Sequence, residues 1–241
     1  MTALLEARGL SRRYGGVHAL RDLTVTQHRG EALGMIGPNG SGKSSFVNAV
    51  TGNIRLDTGS VIFDGTVISG RPPHVAMRAG LTRGYQAVRV FATRPVADNL
   101  ILAGLPHHSD ADRLLHDADV ADILAWLDLA PLLERLAGAL TLFEQRRLEL
   151  AMRLLAKPKL IMLDEPVGGL SPVEVRAMMV LLRELRARCD IFIIEHTMHV
   201  IRALADRVIV MVGGEKIADA PPEEVLRDRR VIEQYLGVSD A

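Results

Sequence analysis

Cysteine, aromatic side chains and net charge are all scarce in this chain of 241 residues. A single cysteine, Cys189, excludes an internal disulfide and suits a reducing compartment. It lies between "LLRELRAR" and "DIFII", where it reads as a small packing residue at a helix end and not as a nucleophile. Aromatics make up 4%, with one tryptophan, Trp126. Lys plus Arg and Asp plus Glu are 29 each, so the formal charge is zero and no nucleic-acid surface is expected. No apolar run approaches the ~20 residues that span a bilayer. The opening "MTALLEARGLSRRYGG" has no apolar h-region, so no secretory signal is expected. By itself the chain is expected to be soluble, reaching a membrane only by binding a membrane protein. There is no internal repeat, low-complexity tract or linker.

What is present is a hydrophobic fraction of 48%, ample for the core of one domain spanning 1–241 with a subdomain. "LRDLTVTQ" alternates at Leu23 and Val25 and predicts a half-buried strand. "EALGMIG" predicts a short buried strand, "KSSFVNAVTG" a helix ended by Gly52, and "LDTGSVIFDG" a strand between two turns. The N-terminal quarter therefore mixes antiparallel strands with the start of a parallel βαβ unit. The middle is helical: "RPVADNLILAGL", "DADVADILAWLDLA" and "EQRRLELAMRLLAK" carry apolar residues at helical spacing, with Trp126 expected in their core. After Lys159, strands and helices alternate. "LIMLDEP" and "DIFIIEH" flank "SPVEVRAMMVLLRELRAR", whose Ser171 N-cap, Pro172 and Glu174 spell a capping box. "RVIVMVGGEKIADA" reads as a hairpin turning at Gly213-Gly214. The whole predicts an α/β fold with a mainly parallel sheet, whose ligands bind at the carboxyl ends of strands.

Three motifs fall at such ends. "GPNGSGKSS" (Gly37, Pro38, Asn39, Gly40, Ser41, Gly42, Lys43, Ser44, Ser45) follows an apolar strand and opens a helix. This is the G-x-x-x-x-G-K-[ST] phosphate cradle, in which backbone N–H groups and the positive helix end meet anionic oxygens. Lys43 would neutralise β/γ-phosphate oxygens and Ser44 would ligate Mg²⁺. Asp164 ends the buried strand "LIMLD" and is the expected second holder of the Mg²⁺ shell. Glu165 stands beside it. Adjacent carboxylates repel unless a cation or a proton task justifies them, so Glu165 is the candidate base for the attacking water. His196 ends "DIFIIEH" and is read as a γ-phosphate contact, with His199 a surface residue. Tyr14, in "RRYGG", offers a ring on which adenine can stack. His74, His107-His108 and His116 have no metal-site spacing.

Tyr14, "GPNGSGKS", the lone glutamine of "TRGYQAVRVF", "QRRLELA", "LIMLDEP", "GLSP" and "EHTMHV" come in a particular order over essentially the whole chain. Together they resemble the nucleotide-binding subunit of ATP-binding cassette (ABC) transporters. The resemblance implies a P-loop NTPase with a RecA-like parallel-sheet core, an N-terminal antiparallel β-subdomain and a helical subdomain of about 91–156. It implies ATP and Mg²⁺ as ligands, Tyr14 as adenine platform, and Gln86 as a loop residue that touches Mg²⁺ and senses the membrane partner. His196 becomes the switch histidine, and Gly169 to Pro172 a loop facing a second cassette. The implied partners are that cassette, membrane permease subunits and, indirectly, an external solute-binding protein. The implied place is the cytoplasmic face of the cell membrane, held peripherally.

"YGGVHAL", "QRRLELA", "EHTMHV" and "APPEEVLRD…VIEQYLG" are similar to the cassettes of branched-chain amino-acid importers. Lipopolysaccharide-export cassettes are the near alternative, and Leu105 to Asp110 is shorter than in many amino-acid-type relatives. Cassette proteins of DNA repair or translation carry tandem cassettes or coiled-coil insertions, and this chain has neither. No N-K-x-D guanine motif is present to support a GTPase. The signature, usually L-S-G-G-Q or L-S-Y-G-Q, reads "LTLFEQ". Phe143 takes the second glycine position, where a Cβ and a ring restrict the backbone. From this a weakened half-site and a preference for a different partner cassette are expected.

Overall fold

The computed structural model describes residues 2–105 and 114–236; His107-His108, and all but Leu105 of the segment to Asp110, lie outside the described residues. Two sheets form. The first, antiparallel and four-stranded, has the order β2-β1-β4-β5, from β1 (Ala3–Tyr14), β2 (Val17–His28), β4 (Thr58–Phe63) and β5 (Thr66–Val67). Strand β1 escapes a pattern reading. Gly9 sits at φ 61° where the β1–β2 register slips between Ala7 and Leu10, and a slip of this kind breaks the alternation by which a strand is recognised.

The second sheet has six strands in the order β10-β9-β3-β8-β7-β6. They are β3 (Ala32–Ile36), β6 (Leu81–Arg83), β7 (Leu160–Asp164), β8 (Asp190–Ile194), β9 (Arg207–Val212) and β10 (Glu215–Ala220). All neighbours pair in parallel except β9 and β10, the expected hairpin over Gly213-Gly214. Alternate residues serve two cores. Ile161, Leu163, Ile191 and Ile193 enter one, while Leu160, Met162, Phe192 and Ile194 enter the other. Both faces are covered, so these strands read as continuous apolar runs rather than alternating ones.

The second core joins the parallel sheet to the antiparallel sheet through helix α1 (Lys43–Val50), whose Phe46 stacks on Phe192 with centroids 5.5 Å apart. A short helix α2 (Pro73–Ala79) lies between β5 and β6. The first core carries α3 (Val96–Gly104), α4 (Ala118–Trp126) and α5 (Leu142–Leu154), all between β6 and β7 in the chain. It also carries α6 (Pro172–Leu185) and α7 (Met198–Leu204). Both Ser171 and Thr141 close capping boxes, with Glu174 and Glu144 respectively. The Thr141 box starts α5 ahead of the "EQRR" stretch from which the helix was predicted.

Trp126 corrects one expectation. It packs half-buried against the first core, at its rim rather than inside it: its indole N–H donates to Glu184 of α6 at 2.6 Å and Arg188 lies 4.5 Å from its ring. An indole that pins α4 to α6 must keep its polar edge among charges. Cys189 is buried just past α6, and burial pushes its thiol up to about 12, so it is an inert packing residue as expected.

Candidate active site

The phosphate cradle joins the end of β3 to α1. Two glycines make its walls close. A Cβ on Gly37 would lie 2.2 Å from the Met211 carbonyl oxygen, and one on Gly42 (φ 105°) 2.4 Å from that of Ala19. No side chain caps α1 and no acid occupies its first turn, so its positive end is left to an external anion. The Lys43 ammonium reaches back to donate to the carbonyls of Gly37 (2.7 Å) and Pro38 (2.9 Å). Burial pulls its pKa below the ordinary lysine value, opposed by the charges of Glu165 and Asp164. A polyphosphate fits this cradle: glycine walls, an uncapped helix end and a cation held only by neutral oxygens.

Tyr14 ends β1 and pairs with Val17 across the hairpin tip. Ala19, two residues on, is the one whose carbonyl touches Gly42, so the tip overhangs the cradle. Tyr14 is 47% exposed and Arg12, tied to Asp57 at 2.9 Å, lies 4.8 Å from its ring. An exposed ring thus stands at the tip of the hairpin whose second strand meets the cradle at Ala19.

Asp164 closes β7, where burial holds its carboxyl above the usual range, with Arg83 at 3.9 Å opposing that shift. Glu165 follows at φ 49°, a conformation that strains a residue with a Cβ. Its carboxylate is shared: the Gln86 amide donates to one oxygen at 2.9 Å, and His196 Nδ1 lies 3.5 Å from the other. Residues from three strand ends, 79 positions apart at one pair, thus meet at one group. Ser44 lies in the first turn of α1. His199 is exposed, and no cluster of His, Cys, Asp and Glu able to hold a metal by itself occurs among the described residues.

Sequence reasoning missed the residue that holds Gln86 in place. Arg146, on α5, donates to the carbonyls of Tyr85 (3.0 Å), Gln86 (2.8 Å) and Gly168 (3.3 Å). Only the unusual burial of a charge in "QRRLE" could have flagged it, and burial is invisible in one sequence. At the start of the same helix Thr141 and Glu144 satisfy each other. The Phe143 ring is half-buried against the helical core, 5.0 Å from the Arg147 guanidinium.

A glycine cradle with its lysine, a strand-end carboxylate pair and a histidine on a neighbouring strand define a P-loop nucleotide-hydrolysing site. Residues 20–168 match the family model described as ABC transporter, and 215–241 one described as branched-chain amino acid ATP-binding cassette transporter. The chain belongs to the ABC transporter family, as an ATP-binding, ATP-hydrolysing cassette. It is 33% identical over 249 residues to the high-affinity branched-chain amino acid transport ATP-binding protein BraF of Pseudomonas aeruginosa, covering 97% of this chain and 98% of that one. It is 31% identical to the lipopolysaccharide export system ATP-binding protein LptB of Escherichia coli, covering 98% of each. Among solved structures, the ADP conformation of an ATP-binding cassette of an ABC transporter superposes with a TM-score of 0.86 at 28% identity, over 99% of this chain and 100% of that one. A nucleotide-free cassette matches with the same TM-score at 26% identity and the same coverage.

Proposed function

We propose that this chain drives import of branched-chain or related amino acids through membrane permease subunits, hydrolysing Mg-ATP at the inner face of the membrane. The chain works as one cassette, 1–241, with residues of about 91–156 as a helical lobe. The observation that carries the catalytic part is the Glu165 carboxylate held between Gln86 and His196. Glu165 takes the proton of the attacking water, His196 steadies the γ-phosphoryl oxygens, and Lys43 offsets their charge. Ser44, Asp164 and Gln86 would hold Mg²⁺, which would supply charge neutralisation to the phosphates. Gln86 would offer that ion its Oε1, while its Nε2 is the atom that donates to Glu165. Tyr14 stacks the adenine.

Amino-acid import is favoured over lipopolysaccharide export by the match of residues 215–241 to the branched-chain amino-acid cassette model, because the identities to BraF and LptB differ little. No helix among the described residues is long and apolar enough to cross a membrane. An open groove beside the Gln86 loop, lined by Arg83, Tyr85, Arg89, Phe91 and Arg153, supports docking of that permease there. Solute specificity then belongs to the permease and an external binding protein. The second cassette is read as a different chain. Phe143 and the Glu144 carboxylate at the α5 N-terminus both disfavour a facing phosphate. Uptake of labelled leucine by cells with and without this chain tests the reading; equal uptake overturns the solute assignment.

A further inference from the structure

Two buried charges lie behind the candidate site residues and reach them through backbone groups rather than through the side chains expected to meet nucleotide. Arg146 is 8% exposed and Glu195 1%. Arg146 stands on α5, one turn beyond Phe143, and its guanidinium gathers the Tyr85, Gln86 and Gly168 carbonyls. Glu195 directly precedes His196, and its Oε1 accepts the Val167 N–H at 3.3 Å. Both side chains therefore hold the same turn after Glu165, one from the helical side and one from the sheet. Each also leaves one buried polar atom without a partner: Nε of Arg146 and Oε2 of Glu195.

Burial works against the charged form of Arg146, and Glu195, after Glu149 of its own helix, is among the acids that favour it. Each group is partly satisfied by backbone, and only Nε of Arg146 and Oε2 of Glu195 carry a desolvation penalty in this arrangement. A closer approach would add a charge-assisted hydrogen bond without removing more water. The Gln86 carbonyl rides on Arg146 and His196 rides on Glu195, so that approach would move both catalytic side chains together.

We propose that Arg146 and Glu195 form a positioning couple that closes when the N-terminal end of α5 is engaged, setting Gln86 and His196 on the nucleotide. The proposal rests on the cassette reading. Neither residue is catalytic; both act through the residues they hold. Coupling of this kind is established only by a mutant cycle.

The test uses the assembled transporter carrying Arg146→Lys, Glu195→Gln or both, with Mg-ATP as probe. Lysine keeps the charge but cannot span three carbonyls, and glutamine keeps the Val167 contact while removing the charge. Each single substitution is expected to lower kcat about tenfold. KM for Mg-ATP and the unfolding temperature should stay near parental values. The double variant should be no slower than the slower single. Multiplying losses, losses that track the unfolding temperature, or parental kcat in either variant overturn the couple. If Arg146→Lys does not assemble, Arg146→Gln takes its place in the cycle, and non-multiplying losses of kcat at constant KM decide as before. A parental assembly that turns over no ATP overturns the cassette reading instead, which separates the two failures.

Discussion

The Gln86 amide donates to Glu165 Oε2 at 2.9 Å, so the residue expected to serve the metal is engaged with the residue expected to activate water. The strained backbone of Glu165 holds the carboxylate where both Gln86 and His196 reach it. The candidate base thus carries a donor on one oxygen, given by the amide nitrogen and not by the amide oxygen that a metal would take.

Glu165→Gln should retain Mg-ATP binding and lose turnover. The amide can still orient water but cannot accept its proton, and loss of a general base lowers rate about 10²–10⁴-fold. ATPase rates of the assembled transporter check this; a parental rate removes Glu165 from the role.

Lys43→Ala should act on binding. Without the ammonium that now rests on the Gly37 and Pro38 carbonyls, only the partial charge of the α1 N-terminus offsets phosphate charge. Thermal stabilisation by saturating Mg-ATP, about 2.7 kcal/mol at one hundred times Kd, should largely vanish in a melting assay.

Phe143→Gly bears on the second cassette. Losing one well-placed donor to a developing anion costs about 10²–10³-fold. Restoring the glycine should therefore raise the ATPase rate of a homodimer of this chain far more than that of the native assembly. Unchanged rate and Mg-ATP-driven dimerisation in both would make Phe143 tolerated drift.

Asp164→Asn should stabilise the nucleotide-free protein near pH 7.5. Burial raises the folded-state pKa of Asp164, so the folded chain binds that proton more tightly than the unfolded chain. The stability this provides is complete below the unfolded value, about 3.9, and is lost as pH rises through the folded value. Asparagine has no such loss. Its melting temperature should exceed the parental one at pH 7.5 by about 2–4 °C per kcal/mol regained, and the gap should close in acid. The same substitution should weaken the Mg²⁺ dependence of ATP binding.

Local chemistry carries its own evidence, which is why the cradle and both acids at the end of β7 could be located from residue types alone. Glycines with a lysine and hydroxyls, after an apolar run and before a helix, have few other physical uses. The Ser171 capping box was legible for the same reason: its partners are three residues apart. Strand β1 was not, because a bulge at Gly9 breaks its period, and Trp126 was misplaced because apolar spacing does not tell a core from a rim.

Sequence alone determined the phosphate cradle, the acid pair, the family and the alternation that builds a parallel sheet, since each depends on neighbours within a few positions. Tertiary structure alone decided what those groups do to one another. Gln86 and His196 share Glu165 only because β6, β7 and β8 lie side by side in the sheet. Arg146 and Glu195 become a pair of buried charges only because α5 and the end of β8 press on one turn. Distance and burial arise from how the chain closes on itself, and a linear order of residues contains neither.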